Sequence, residues 1–208
     1  MLISFANLKI STGFIVPFYL LGCCFAQSSE LRPQPERGDI RITKSSILGK
    51  EFMLATANPI ATKAGYDILV NGGNAIDAAV AIQMVLNVVE PQSSGIGGGA
   101  FVLYWDAKKK KLYSFDGRET APAAVKRDYF LKKNGDKKTF WGVVQGGGSV
   151  GVPGTLRLME FIHKRHGTMK WPELFQPAIK IAHNGFSISP RLADSIASAQ
   201  KRGLDQFS

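Results

Sequence analysis

Apolar and polar positions change rhythm several times along the chain, and each change predicts an element. Phe52-Met53-Leu54-Ala55-Thr56-Ala57 is a short, mostly apolar run that predicts a strand. It closes at Asn58-Pro59, an N-cap followed by the residue best suited to a first helical position. Ile60, Ala64, Ile68 and Leu69 then recur at helical spacing until Asn71-Gly72-Gly73, where glycine permits the left-handed turn that ends a helix. Asn74 caps a second helix, with Asp77 three residues on in a capping-box position. From Ala75 to Val89 only Asp77, Gln83 and Asn87 are polar. A helix apolar on nearly every face is buried on nearly every face, and this one is too short to span a bilayer, so it is a core helix.

Glu90-Pro91 stops that helix, and Ser93-Ser94-Gly95-Ile96-Gly97-Gly98-Gly99 leads into Ala100–Trp105, a strand too uniformly apolar to face water. Asp106 and lysines 108–111 predict a solvated hairpin tip, and Leu112-Tyr113-Ser114-Phe115 the return strand, which runs into Asp116-Gly117-Arg118-Glu119-Thr120-Ala121-Pro122. A Lys-rich stretch (126–138), a second glycine loop (142–154) and helical patterns near 155–165, 172–183 and 190–201 complete the chain. Two helices, an antiparallel hairpin, then more helices give an α+β class, not an alternating parallel sheet.

The first 26 residues follow a different logic. Lys9 precedes a largely apolar run, Ile10 to Phe25, and Ala26-Gln27-Ser28-Ser29 follows it, the layout of a secretory signal cleaved after Ala26. Leu20-Leu21-Gly22-Cys23 reads like a lipobox, which offers a competing cut and a lipid anchor at Cys23; an uncleaved anchoring helix is the third reading. Residues 27–50, with Pro33, Pro35, Gly38 and alternating charges, predict an extended leader, and the ordered part is expected over 51–208. The expected location is therefore outside the cytoplasm, periplasmic or secreted.

Composition narrows the field further. The 208 residues are 45% hydrophobic and 20% charged, ordinary for a globular chain that can bury its own core without disulfides. The only cysteines, Cys23 and Cys24, lie within the signal, so cleavage after Ala26 leaves no sulfur ligand or thiol nucleophile. The net charge of +10 is concentrated: residues 108–138 hold 11 Lys or Arg. They read first as a solvated face and second as an attraction for anionic surfaces or substrates. Nucleic acid is not an expected partner, because no stacking motif accompanies the charge.

Several short motifs fail on context. Gly95–Ala100 spells a dinucleotide fingerprint but follows a helix and precedes a strand, the reverse of what a pyrophosphate site needs. Gly146–Gly151 fits better, with a possible strand before it and a helix after, but lacks the next strand of the unit. Gly147-Gly148-Ser149-Val150-Gly151 spells a nucleophile elbow whose partners, Glu160 or Glu173 and His183, would crowd into helices. Ser198-Ala199-Gln200-Lys201 spells a serine–lysine signature without its companion segment. His163, His166 and His183 form no metal-ligand grouping, and the first two read as a solvated helix end. The glycine loops themselves read as tight turns between packed layers.

Arg118 differs from the lysines around it. A strand-end guanidinium beside a proline bend can offer a carboxylate two parallel hydrogen bonds, which Lys cannot; pairing with Asp116 or Glu119 is the plainer alternative.

Five segments, taken in order, carry a resemblance. Asn71–Ala81, Val89–Gly99, Asp116–Pro122, Val150–Gly154 and Trp171–Ala178 resemble the γ-glutamyltransferase (glutathione hydrolase) family over roughly residues 50 to 205. The resemblance implies an N-terminal-nucleophile hydrolase with an αββα sandwich, incomplete in this chain. It also implies a proenzyme that cleaves itself into two subunits, and a nucleophilic Thr at the head of the small one. That Thr would pass a γ-glutamyl group from glutathione or a related donor to water, amino acids or peptides, with no cofactor or metal. Arg118 takes the role of gripping the donor's α-carboxylate. No residue here matches the Thr, so the catalytic residues are expected downstream, and the 208 residues are expected to be inactive and poorly soluble without the small subunit. A related amide acylase and a non-catalytic exported module are the alternatives.

Overall fold

The structure is a computed structural model, and it describes residues 46–144 and 146–203. The signal and anchor readings, and most of the expected leader, lie outside the described residues. Residues 46–50 are exposed and irregular.

Helix α1, Pro59–Val70, starts where the N-cap predicts: the Asn58 side chain accepts from the Ile60 backbone N–H, with Pro59 at the first helical position. Helix α2, Ala75–Val89, opens with a complete capping box between Asn74 and Asp77. Strands β1, Ala100–Asp106, and β2, Lys111–Gly117, form an antiparallel hairpin in which Val102 faces Phe115 and Tyr104 faces Tyr113. Asp106 Oδ1 accepts from the backbone N–H groups of Lys108 and Lys109, both at 3.1 Å, and so closes the lysine turn. The short helix α3, Phe140–Val144, is followed by α4, Thr155–His166, a 3₁₀ turn over Trp171–Phe175, α5, Gln176–Asn184, and α6, Pro190–Lys201.

The core is built on α2. One cluster joins its Ile76, Val80 and Ala81 to Leu158, Met159 and Ile162 of α4 and to the inward face of the hairpin (Ala100, Val102, Tyr104, Phe115). A second joins Met84, Val85 and Val89 to Ala61 and Ala64 of α1 and Ala178 of α5. Helices therefore cover one face of the sheet. Two hydrophobic clusters sharing one helix explain why α2 needs apolar residues nearly all round.

Three expectations change. Phe52–Ala57 is irregular and not a strand, because it finds no ladder partner among the described residues. Trp105 and its neighbours alternate rather than bury uniformly: Ala100, Val102 and Tyr104 turn inward, while Phe101, Leu103 and Trp105 are 57–72% exposed. Two-sided apolarity is the mark of a strand covered on both faces, and here one face is bare. The segment before Gly146 is the helix α3, not a strand, which removes the βαβ reading of the second glycine loop.

The histidines also depart from a solvated helix end. His163 is nearly buried, with Nε2 3.5 Å from an oxygen of Asp77, and its ring packs on Trp171. His166 lies against the rings of Tyr104, Tyr113 and Phe115, seating the end of α4 on the hairpin.

Buried Asp77 explains this arrangement. Besides accepting from the Asn74 backbone N–H at 2.9 Å, its carboxylate accepts from the Thr168 N–H at 3.1 Å and the Thr168 hydroxyl at 2.6 Å. The capping residue of α2 thus also ties down the loop after α4. Asn74 completes the tie by donating its side-chain amide to the carbonyl of His166.

Candidate functional site

The three motif segments that surround Arg118 in the sequence analysis converge in space. Gly98, at the end of the first glycine loop, has a carbonyl that accepts from the backbone N–H groups of Gly154 (3.0 Å) and Thr155 (3.1 Å) at the start of α4. Thr120 and Val152 form an isolated antiparallel bridge, with Val152 N–H donating to the Thr120 carbonyl at 2.8 Å. The segment Gly117–Thr120 is clasped between two loops.

Close approach, more than unusual backbone angles, is what the glycines supply. A Cβ on Gly99 would lie 2.5 Å from the Glu119 nitrogen and 2.6 Å from the Arg118 Cα, and would overlap Glu119 Oε2 as well. A Cβ on Gly154 would lie 2.8 Å from the Gly117 carbonyl carbon. Real side chains do not tolerate such contacts, so the backbones can cross only where a side chain is missing. The reading of these loops as mere turns was incomplete, since the spacing in the sequence carries no sign of which chain would be crossed.

Arg118 is held from below and open above. Its backbone N–H donates to Asp116 Oδ1 at 2.9 Å, an Asx-type turn that fixes the bend at the strand end. Its side chain is 58% exposed, and Nε lies 3.3 Å from Glu119 Oε2. That oxygen is buried and accepts no hydrogen bond among the described residues, so the guanidinium is its compensating charge. Of the two carboxylates the sequence offered, the ion pair goes to Glu119. A guanidinium can also offer a second carboxylate its terminal fork in end-on, two-point geometry.

Two hollows flank this bend. One, of about 430 Å³, has Glu119, Pro122, Val125, Tyr129, Phe130 and Gly148 among its walls. The other, of about 400 Å³, lies between Phe115 and Gly117 on one side and Pro153, Leu158 and Phe161 on the other. Arg118 lines neither; its chain neighbours wall both. The first hollow was not foreseen, because its aromatic residues sit in a Lys-rich stretch with no periodicity.

The competing motifs do not assemble. Ser149 donates to the Val144 carbonyl, and exposed His183 faces Asn184, so no Ser–His pair exists. Glu160 is taken by Arg157 and Lys164, whose hydrogen bonds hold its carboxyl below the usual range, that from Lys164 foremost. Ser198 accepts from Arg202. Among the described residues no group of three or more His, Cys, Asp or Glu could hold a metal, and no helix is long and apolar enough to cross a membrane.

Comparison with known proteins agrees with this geometry. A family profile described as Gamma-glutamyltranspeptidase matches residues 61–207, which include all three converging segments. The glutathione hydrolase proenzyme of Bacillus subtilis (strain 168) is 48% identical over 155 residues, 74% of this chain and 26% of that protein. The crystal structure of Helicobacter pylori gamma-glutamyltranspeptidase superposes with a TM-score of 0.69 at 38% identity, covering 79% of this chain and 46% of the other. That of cephalosporin acylase from Bacillus halodurans gives 0.63 at 31% identity, over 81% of this chain and 32% of the other. The chain thus spans about a quarter of the length of the curated relative above. The expected α+β class and the partial layer of a larger sandwich agree with this likeness. On sequence and on fold alike, the chain belongs to the γ-glutamyltranspeptidase family.

Proposed function

We propose that residues 51–208 form the donor-gripping part of a γ-glutamyltransferase or glutathione hydrolase. In this reading Arg118 receives the α-carboxylate of the γ-glutamyl group of glutathione or a related donor. The observation that carries it is a guanidinium 58% exposed at a glycine-lined crossing, with Glu119 Oε2 3.3 Å from its Nε. A planar guanidinium presents two donors in carboxylate geometry, which a lysine cannot.

The rest of the chemistry belongs, on this proposal, to a part of the family's chain without counterpart here. A Thr freed by self-cleavage attacks the γ-amide carbonyl, its own α-amine taking the proton, and the acyl group passes to water, an amino acid or a peptide. No cofactor enters. The small subunit of the same precursor is the partner, and the bare face of the hairpin is what it would cover. Export, by either route read from residues 1–26, is part of the same proposal, lipid attachment at Cys23 included. Residues 1–208 by themselves turn over no γ-glutamyl substrate.

The test is an NMR titration of the 208-residue chain with glutathione. Saturable shifts at residues 117–120 and at Arg118 Nε, lost in Arg118→Lys, are expected; their absence refutes the assignment, and release from a γ-glutamyl anilide by this chain refutes its inactivity. An amide acylase is the second reading, favoured by the likeness to the cephalosporin acylase; shifts induced equally by amides without a glutamyl carboxylate would select it.

A further inference from the structure

We infer that the hollow beside Glu119 is a subsite for an apolar, ring-bearing amino-acid side chain attached through the γ-glutamyl amide, so that the preferred ligands are γ-glutamyl derivatives of aromatic residues. The inference rests on Arg118 gripping the glutamyl carboxylate and adds what lies next to that grip.

Position is the first argument. Glu119, the ion-pair partner of Arg118, is itself a wall of the hollow, and Thr120, Ala121 and Pro122 belong to the same wall. A ligand anchored by its carboxylate at Arg118 extends along this wall. The Thr120–Val152 bridge ties this wall to the second glycine loop, where Gly147, Gly148 and Gly151 line the hollow together with the small side chains of Ser149 and Val150. Three glycines and two aromatic rings in one lining leave room for a ring-bearing group.

Chemistry is the second. Pro122, Ala124, Val125, Tyr129 and Phe130 supply apolar walls, and no lysine of the surrounding basic stretch lines the space. Tyr129 and Phe130 meet edge to face, centroids 5.0 Å apart and planes at 78°. Lys138 holds that pair in place: Nζ donates to the Tyr129 carbonyl at 2.9 Å and stands over the Tyr129 ring. These contacts support the Tyr129 side of the pair. At about 430 Å³ the hollow has the size of a small-molecule site.

The test compares affinities of the 208-residue chain for γ-glutamyl-phenylalanine, γ-glutamyl-glycine and N-acetyl-phenylalanine amide, by calorimetry or NMR titration. Two variants accompany it: Ala124→Trp, which fills the hollow, and Val125→Asp, which charges it, each checked for unchanged circular dichroism. The aryl ligand is expected to bind about tenfold tighter than the glycine ligand, the gain of burying a ring. In both variants that ratio is expected to fall to about one. A ratio near one in the parent chain, or one that survives both substitutions, overturns the subsite and leaves Arg118 as the grip. If the acetyl amide binds the parent and not the variants while neither γ-glutamyl compound exceeds it, the subsite stands and the glutamyl reading falls. If no probe binds, both fall.

Discussion

Asp77→Ala is the substitution that most directly probes how this fold is held. The carboxylate is fully buried and accepts from the Asn74 N–H, the Thr168 N–H and the Thr168 hydroxyl, with His163 Nε2 at 3.5 Å. Hydrogen bonds to a charged group are each worth about 1.5–3 kcal/mol, and a lost cap about 1 kcal/mol. Thr168 is solvent-exposed and can recruit water, so the full sum is not lost. A net destabilisation of about 3–5 kcal/mol follows from the lost cap and hydrogen bonds. Against a total of roughly 5–15 kcal/mol, that is a large fraction. Thr168→Val, which removes the hydroxyl alone, should cost about 1.5–2 kcal/mol, the low end for a bond to a charged group. Urea unfolding followed by circular dichroism reads both, with the slope compared to confirm that the exposed area is unchanged. A loss below about 1 kcal/mol for Asp77→Ala, or equal losses for the two variants, would refute the hub.

Other outcomes follow from the same geometry. Gly99→Ala forces a Cβ into Glu119 and the Arg118 backbone; it should cost about 1–3 kcal/mol in urea unfolding and abolish the glutathione-induced shifts at residues 117–120, and retention of those shifts would deny the close crossing any role. The Asp106 carboxyl is held below its ordinary value of 3.8, chiefly by the Lys109 backbone N–H. A depressed folded-state value means the turn gains stability above the ordinary value and loses it only as pH falls through the folded one. The amide shifts of Lys108 and Lys109 should therefore titrate with a midpoint below pH 3.8; a midpoint at or above 3.8 contradicts the bond. Replacing Leu103 and Trp105 together by Lys should raise the solubility of the 208-residue chain several-fold in a sedimentation assay, since both lie on the bare sheet face; unchanged solubility would place the liability elsewhere.

Much of this was legible in the residues. Caps announce themselves chemically, so Asn58-Pro59 and Asn74 with Asp77 located two helices by local rules alone. The hairpin was equally clear, because Asp106 and four lysines can only be a solvated turn between apolar runs. What local pattern cannot carry is partnership across the chain. Phe52–Ala57 has strand composition and no strand to pair with among the described residues. Uniform apolarity in Ala100–Trp105 signals two faces to be covered, without saying that only one is covered here. Asp77 was readable as a cap but not as the anchor of Thr168, which lies 91 residues away. At the candidate site, Arg118 stood out because its type and place suit a carboxylate, whereas the glycine crossings and the Tyr129–Phe130 wall depend on long-range packing alone.

Helix α4 has one further consequence. It is fastened at both ends, at its first turn by the Gly98 carbonyl and at its last by Asn74 and the Tyr104–Tyr113 rings. Its twelve residues make a strut about 18 Å long. A beam pinned in this way transmits displacement instead of absorbing it. Slackening the distant anchorage therefore lets the glycine crossing wander, and inherited lesions remote from the guanidinium would dull its aim without touching it.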